Sequence, residues 1–172
     1  MARYSTASLG QTAQLSGAPV TTTVNGYLGY WGGSATSGYR LRRATLGLRA
    51  GAGVPTSQQV SVGIFRQTVA PAGTGLAAAI LGQPMETWTP QTDPTVGLIM
   101  TTAATIGTTG PTLAANPIKM LTFNTQTGWD YPFEFMEELV CPIGTANGLA
   151  FVNLSATLPA SHLITLDVEI EV

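Results

Sequence analysis

The last segment of the chain carries the clearest pattern. Ile164, Leu166, Val168, Ile170 and Val172 alternate without a break with Thr165, Asp167, Glu169 and Glu171. Successive side chains of an extended strand point to opposite faces, so a period of two predicts one apolar and one polar face. Residues 58–68 behave alike: Val60, Val62 and Ile64 face one way, and Gln59, Ser61 and Gly63 the other. In 39–50, Ala44, Leu46 and Leu48 share a face, but the alternation slips at Arg42-Arg43, which predicts a β-bulge. Residues 149–154 are apolar on both faces, as a central strand requires. Shorter strands are expected at 96–102, 118–124 and 138–142, with 20–24 and 27–31 as further candidates, and 76–81 fits either a short strand or a helical turn. Residues 133–139 fit two readings. A short helix after Pro132 is one; a strand is the other, because the aromatics at 131, 133 and 135 keep period two.

Turn-forming clusters separate these runs at 51–55, 70–75, 144–148 and 159–161. Residues 82–95 read as a surface loop, since Pro84, Pro90 and Pro94 forbid helix there. Residues 106–117 and 125–133 also read as loops, the second carrying Trp129. Residues 1–38 are rich in Ser, Thr, Gly, Gln and Ala, and 32–38 is a Gly/Ser hinge by composition. The expected organisation is an extended N-terminal arm over 1–38 followed by one sandwich domain over 39–172. Seven or eight strands between turn-rich loops predict an all-β, antiparallel β-sandwich, for which a jelly roll is the commonest eight-strand solution. No period of 20–50 residues repeats, which excludes a solenoid.

Composition narrows the picture. Of 172 residues, 44% are hydrophobic but only 9% charged, against about 25% in ordinary soluble domains. The apolar content excludes charge-driven disorder, and the scarcity of Glu, Lys and Arg excludes a coiled coil. Uncharged stretches are interrupted by Pro and Thr, so no membrane-spanning helix of about 20 residues is expected. Met1-Ala2-Arg3-Tyr4 leads into a polar segment, so no secretory signal is expected. A single cysteine, Cys141, excludes an internal disulfide. Charge is unevenly placed. Residues 1–85 hold six arginines and no acid, while 86–172 hold nine acids and one base, Lys119. Two halves of opposite sign are expected to meet, within one fold or across a subunit boundary.

The inventory of reactive groups is thin. His162 is the only histidine, and it is expected at the solvent side or as a cap at the entry to the last strand. Ser161 lies beside it, but Asp167, the nearest carboxylate, is on the polar face five residues on, and there is no Gly-x-Ser-x-Gly elbow. Cys141 sits in an apolar run, where a thiol is a small hydrophobe. No zinc or calcium spacing is present. Asp130, Glu134, Glu137 and Glu138 gather near Trp129 and Tyr131, and a glycosidase needs two such acids. Adjacent Glu137 and Glu138 would face opposite ways on a strand, so a solvated edge is the simpler reading. No catalytic residue, cofactor or metal is assigned. Trp31, Trp88 and Trp129 each fit core packing, a protein interface or stacking on a sugar ring. Arg40, Arg42, Arg43 and Arg49 are the one basic group; arginine without lysine suits planar pairs with carboxylates, and nucleic acid is not an expected partner.

A family resemblance rests on Ala2-Arg3-Tyr4-Ser5, on Tyr39-Arg40-Leu41-Arg42-Arg43-Ala44-Thr45-Leu46-Gly47-Leu48, on Ile64-Phe65-Arg66-Gln67-Thr68 with Gly73-Thr74, and on Asn147-Gly148-Leu149-Ala150-Phe151 before an acidic terminal strand. Together these resemble small structural proteins of tailed bacteriophages, of the head decoration or cement type. The motifs are short and spread over the chain, and 82–95 and 106–117 have no counterpart in them. The resemblance implies a virion protein on the capsid exterior, made in the host cytoplasm. Its implied partners are the major capsid protein lattice and itself, as a homotrimer, without catalysis. Arg3, Tyr4, Tyr27, Tyr30, Trp31, Arg40, Arg42 and Arg43 are the expected partner-binding residues. Deleting 1–30 is then expected to abolish capsid binding and leave a folded domain. Competing readings are another virion component (capsid, collar or tail), a carbohydrate-binding sandwich using loop tryptophans, and a small hydrolase using Asp130 and Glu134. Weak glycan contact through outer loops, and no membrane contact, complete the expected partners.

Overall fold

The alternation of the final strand sets the architecture. The computed structural model describes residues 3–7, 27–32, 35–50, 53–70, 83–84, 98–99, 111–134, 136–155, 158 and 162–172. In chain order the strands are β1 (Arg3–Ala7), β2 (Tyr27–Gly32), β3 (Tyr39–Ala50), β4 (Gln59–Val69), β5 (Gln83–Pro84), β6 (Leu98–Ile99), β7 (Thr112–Leu113), β8 (Lys119–Asn124), β9 (Trp129–Pro132), β10 (Leu139–Cys141), β11 (Gly148–Asn153) and β12 (His162–Glu171). No helix occurs among the described residues. Every pairing is antiparallel. The first sheet has the order β10-β3-β12-β1-β5, with β9 beside β10 along the same edge of β3. The second has the order β6-β2-β11-β4-β7, with β8 beside β7 along β4. The chain is an all-β sandwich of two antiparallel sheets, as its pattern predicted.

The core lies between the sheets. From the first come Leu41, Ala44 and Leu46 of β3 and Ile164, Leu166, Val168 and Ile170 of β12; from the second, Leu28, Val60, Val62, Ile64, Leu121, Leu149 and Phe151, among others. Burying each large apolar side chain contributes about 1.5–3 kcal/mol relative to exposure. Tyr39 ties the layers together with a polar bond, its hydroxyl donating to the Trp31 carbonyl at 2.8 Å.

Two bulges set which side chains enter this core. On β12, Glu169 faces Arg43 while the next residue, Ile170, faces Leu41, so Arg42 is the extra residue on β3. The bulge predicted at Arg42-Arg43 is present. Without it, Leu41 and Ala44 would point to opposite faces; with it both are buried and both arginines turn outward. The second bulge has Phe151 opposite Gly29 and Val152 opposite Tyr27, which makes Leu28 the extra residue of β2. Leu28 and Trp31 therefore share the main core, and Tyr30 points to the other face. Gly29 admits the Trp31 ring: a Cβ there would sit 2.5 Å from the indole.

Several expectations are corrected. The described parts of 1–38 are not an arm, because β1 pairs with β12 and β2 pairs with β11. Deleting 1–30 would strip one strand and most of another. Residues 8–26, including the candidate strand at 20–24, lie outside the described residues, as do 76–81 and Trp88. The expected loop at 125–133 is a turn followed by β9, which holds Trp129 in a strand. The aromatics at 129, 131 and 133 follow period two. Between Phe133 and Leu139 the described residues form a turn, not a helix: Glu137 N–H donates to the Glu134 carbonyl at 2.9 Å, and Met136 takes a φ of 70°. Two-residue strands interrupt the expected loops, at β5 within 82–95 and β7 within 106–117. His162 is fully buried, not solvent-side, because β12 begins two residues early and keeps its inward parity.

Candidate functional site: the outer face and flank of the first sheet

The outward turn of Arg42 and Arg43 brings the basic half of the chain onto the acidic half. Arg42 reaches Glu138, next to β10, and Glu171, on β12. Its side chain is 20% exposed, whereas the two carboxylates retain only 5% and 6%, so this triad is largely withdrawn from water. Arg43 lies further out. Its Nε and Nη2 donate to Asp130 Oδ1 and Oδ2 at 2.7 and 2.5 Å, a bidentate fork, and Thr45 Oγ1 donates to Oδ1 at 3.0 Å. Glu169 is 3.6 Å from Arg43 Nη1. The hydrogen bond from Arg43 is the main cause that holds the Asp130 carboxyl below the usual carboxylate range, and the same bond raises the guanidinium. On the neighbouring register, Glu171 lies opposite Arg3 on β1 and Arg40 on β3, and Ser5 Oγ donates to Asp167 Oδ1 at 3.0 Å. The opposite charges meet within one fold.

The eight residues expected to bind a partner therefore divide. Arg3, Arg40, Arg42 and Arg43 gather around β12, with Arg42 and Arg43 committed to intramolecular ion pairs. Tyr30 and Trp31 are buried and do not form a docking patch. The Tyr30 hydroxyl donates to Gln67 Oε1, and Trp31 meets Phe151 edge-on with ring centroids 5.4 Å apart. Tyr4 and Tyr27 are placed by register alone, opposite Ile170 and Val152.

Two depressions adjoin this face. The larger, of about 420 Å3, has the edge of β3 from Thr45 to Leu48 as its floor and the 125–130 segment as its wall. β9 begins opposite Leu46, so Gly47 and Leu48 extend beyond it. Asn124 fixes the turn: its carbonyl accepts from the backbone N–H of Thr127 and Gly128 at 3.0 and 3.1 Å, and its side chain accepts from Gln126 N–H at 2.9 Å. Thr125 Oγ1 donates to the Thr56 carbonyl at 2.8 Å, which moors the turn to the β3–β4 connection. Gly128 has φ +67° and lies so close to β3 that a Cβ would stand 2.8 Å from the Leu46 carbonyl oxygen. The smaller depression, of about 210 Å3, includes Arg40, Val140, Pro142, Ile143 and Val172 in its lining.

Along the same flank the edge strands of the two sheets meet. Lys119 of β8 places Nζ 4.5 Å from the Tyr131 ring centroid on β9, and Arg66 Nη1 of β4 donates to the Val140 carbonyl of β10 at 2.9 Å. Ile118, Met120, Met136, Val140 and Ile143 are exposed on these edge strands and their connections. Sequence reading missed this flank, since single apolar residues in short segments give no period.

The remaining candidate chemistry is structural in its surroundings. His162 Nε2 donates to the Thr56 carbonyl at 3.0 Å. Cys141 is buried, and burial raises its thiol above the ordinary value, which favours the neutral form. Glu138 and Asp130 are both ion-paired. No three His, Cys, Asp or Glu side chains converge as metal ligands would among the described residues. Compared with protein-family models, curated proteins and solved structures, the chain finds no match.

Proposed function

We propose that the chain is a virion structural protein of the head decoration type, which assembles as a homotrimer and stabilises a capsid by bridging its subunits. The observation that carries this reading is the flank: large apolar side chains are exposed where the edge strands of both sheets come together, next to a face whose charges are paired internally. Exposed apolar groups rimmed by polar ones mark contact surfaces, and the occupant proposed here is another copy of the chain. The strand orders β1-β12-β3-β9/β10 and β2-β11-β4-β8, with the chain changing sheet at each of its first four strands, support a jelly-roll form of the sandwich. That architecture is frequent in viral capsid proteins and in lectins. The motif resemblance to bacteriophage decoration proteins selects the first of these. Binding the assembled lattice and not free subunits would favour assembly by mass action, and three linked sites would convert weak contacts into firm attachment.

Electron microscopy of heads prepared with and without the chain tests the proposal. Added density on the outer surface is expected with the wild type, and its loss with Val140→Asp/Ile143→Asp. Bare heads at saturating protein would overturn it.

A further inference from the structure

We propose that the turn between β9 and β10, tipped by Met136, plugs into the small depression beside Arg40 on a second copy of the chain. The inference rests on the self-assembly reading and names the two surfaces that meet.

The turn is built as a knob. Met136 is 83% exposed and has a φ of 70°, the one positive value at a non-glycine position among the described residues. That backbone region suits glycine and asparagine, so a large apolar side chain held there marks a position where the side chain itself is used. Two bonds fix the turn. Met136 N–H donates to Glu138 Oε2 at 3.0 Å, and Glu137 N–H donates to the Glu134 carbonyl at 2.9 Å. Glu138 is in turn clamped by Arg42, so the knob is ordered in advance and loses little freedom on docking. Glu134 and Glu137 flank the tip, both exposed and without an ion pair among the described residues. Lys119 feels Glu137 only at a distance, because its ammonium sits over the Tyr131 ring.

The depression matches this knob. Its volume of about 210 Å3 has room for one long side chain, and methionine adapts well to irregular hollows. Val140 lies directly opposite Arg40 in the β10–β3 ladder, so both side chains stand on the outer face. Pro142 and Ile143 continue the apolar wall, with Ile143 59% exposed. Glu171 also lines the hollow, but it is nearly buried and held by Arg42. The uncommitted charge at the rim is therefore that of Arg40, which makes no ion pair among the described residues. An apolar tip between two unpaired carboxylates faces an apolar hollow beside an unpaired guanidinium. Both halves belong to one sequence, so the occupant is a second copy. The contact is head-to-tail, and such contacts close into rings when the rotation allows. Knob and hollow lie at the two ends of the three-residue β10, where one three-fold axis can serve both.

The test is disulfide trapping between full-length Met136→Cys and Ile143→Cys chains, mixed and mildly oxidised, with linked peptides identified by mass spectrometry and assembly followed by light scattering. A 136–143 link is expected. Val54→Cys mixed with Ile143→Cys is the collision control, since Val54 is 87% exposed but follows the far end of β3. The charge arm uses Glu134→Lys/Glu137→Lys, which should weaken association about tenfold, and adding Arg40→Glu to the same chain should restore it. An oligomer without the 136–143 link, or with no more of it than the control, would overturn the inference and leave self-assembly standing. So would further weakening by Arg40→Glu in place of rescue. A chain that stays monomeric would overturn both.

Discussion

The two sheets share one core but differ on their outer faces. Outside the first sheet lie Arg42, Arg43, Asp130, Glu138, Glu169 and Glu171, joined by ion pairs. Outside the second lie Tyr30, Phe65, Ala150 and Val152, a second buried apolar cluster completed by Leu113. The first sheet is therefore a boundary with water, held by charge complementarity, and the second is apolar on both sides at its centre. The same backbone ladder serves both, so the difference is written in the side chains alone. Charge pairs fix register and position on the wet face; area removed from water stabilises the dry one.

Breaking the dry face should have the largest effect. Phe65→Ala is expected to lower stability by about 3–5 kcal/mol, whereas Thr165→Ala, at an outward position of β12, should stay within about 0.5 kcal/mol. Urea denaturation of both variants checks this, and equal losses would erase the contrast. Next comes Arg42→Met, which leaves Glu138 and Glu171 nearly buried and unpaired. The expected loss is about 2–3 kcal/mol, less than the 3–5 kcal/mol of a fully buried pair because Arg42 is partly exposed. Removing only a hydroxyl on the dry side, by Tyr30→Phe, deprives Gln67 Oε1 of its buried donor and should cost about 1–2 kcal/mol. Among these pair-breaking changes Arg43→Gln is expected to have the smallest effect, a loss of about 0.2–1 kcal/mol at neutral pH, since that pair is exposed.

The Arg43–Asp130 pair has a pH signature. Asp130 is depressed in the folded chain, so its contribution is complete above the ordinary carboxylate range and is lost as pH falls through the folded value. The melting temperature followed from neutral pH into acid should fall less steeply in Arg43→Gln than in the wild type. An unchanged acid slope would show that the fork does not differ between folded and unfolded chains.

How much was legible follows the same division. β12 was plain because one face meets the core and the alternation is strict, whereas β4 showed only its Val60, Val62 and Ile64 face, and Gly63 and Phe65 are buried on the other. The bulge at Arg42 was legible as a slip in phase, and the split of charge between halves foretold the ion pairs without naming them. β9 was lost because four residues, Trp129-Asp130-Tyr131-Pro132, are too few for a period and end in a proline. Tyr30 and Trp31 misled for another reason. An aromatic cluster beside a Gly/Ser tract suggested a docking arm, but the bulge at Leu28, which depends on pairing with a strand 120 residues away in sequence, puts one ring into each of two cores. His162 was misplaced by starting the strand two residues late. Long-range register, not local propensity, decided each of these.

The central claim is that this sandwich works by packing against copies of itself through its exposed flank. Light scattering on the purified chain tests it most directly. Three times the 17.8 kDa chain mass is predicted for the wild type, and a single chain mass for Val140→Asp/Ile143→Asp with an unchanged β-sheet spectrum. A wild-type chain that remains at 17.8 kDa at every concentration would contradict the account.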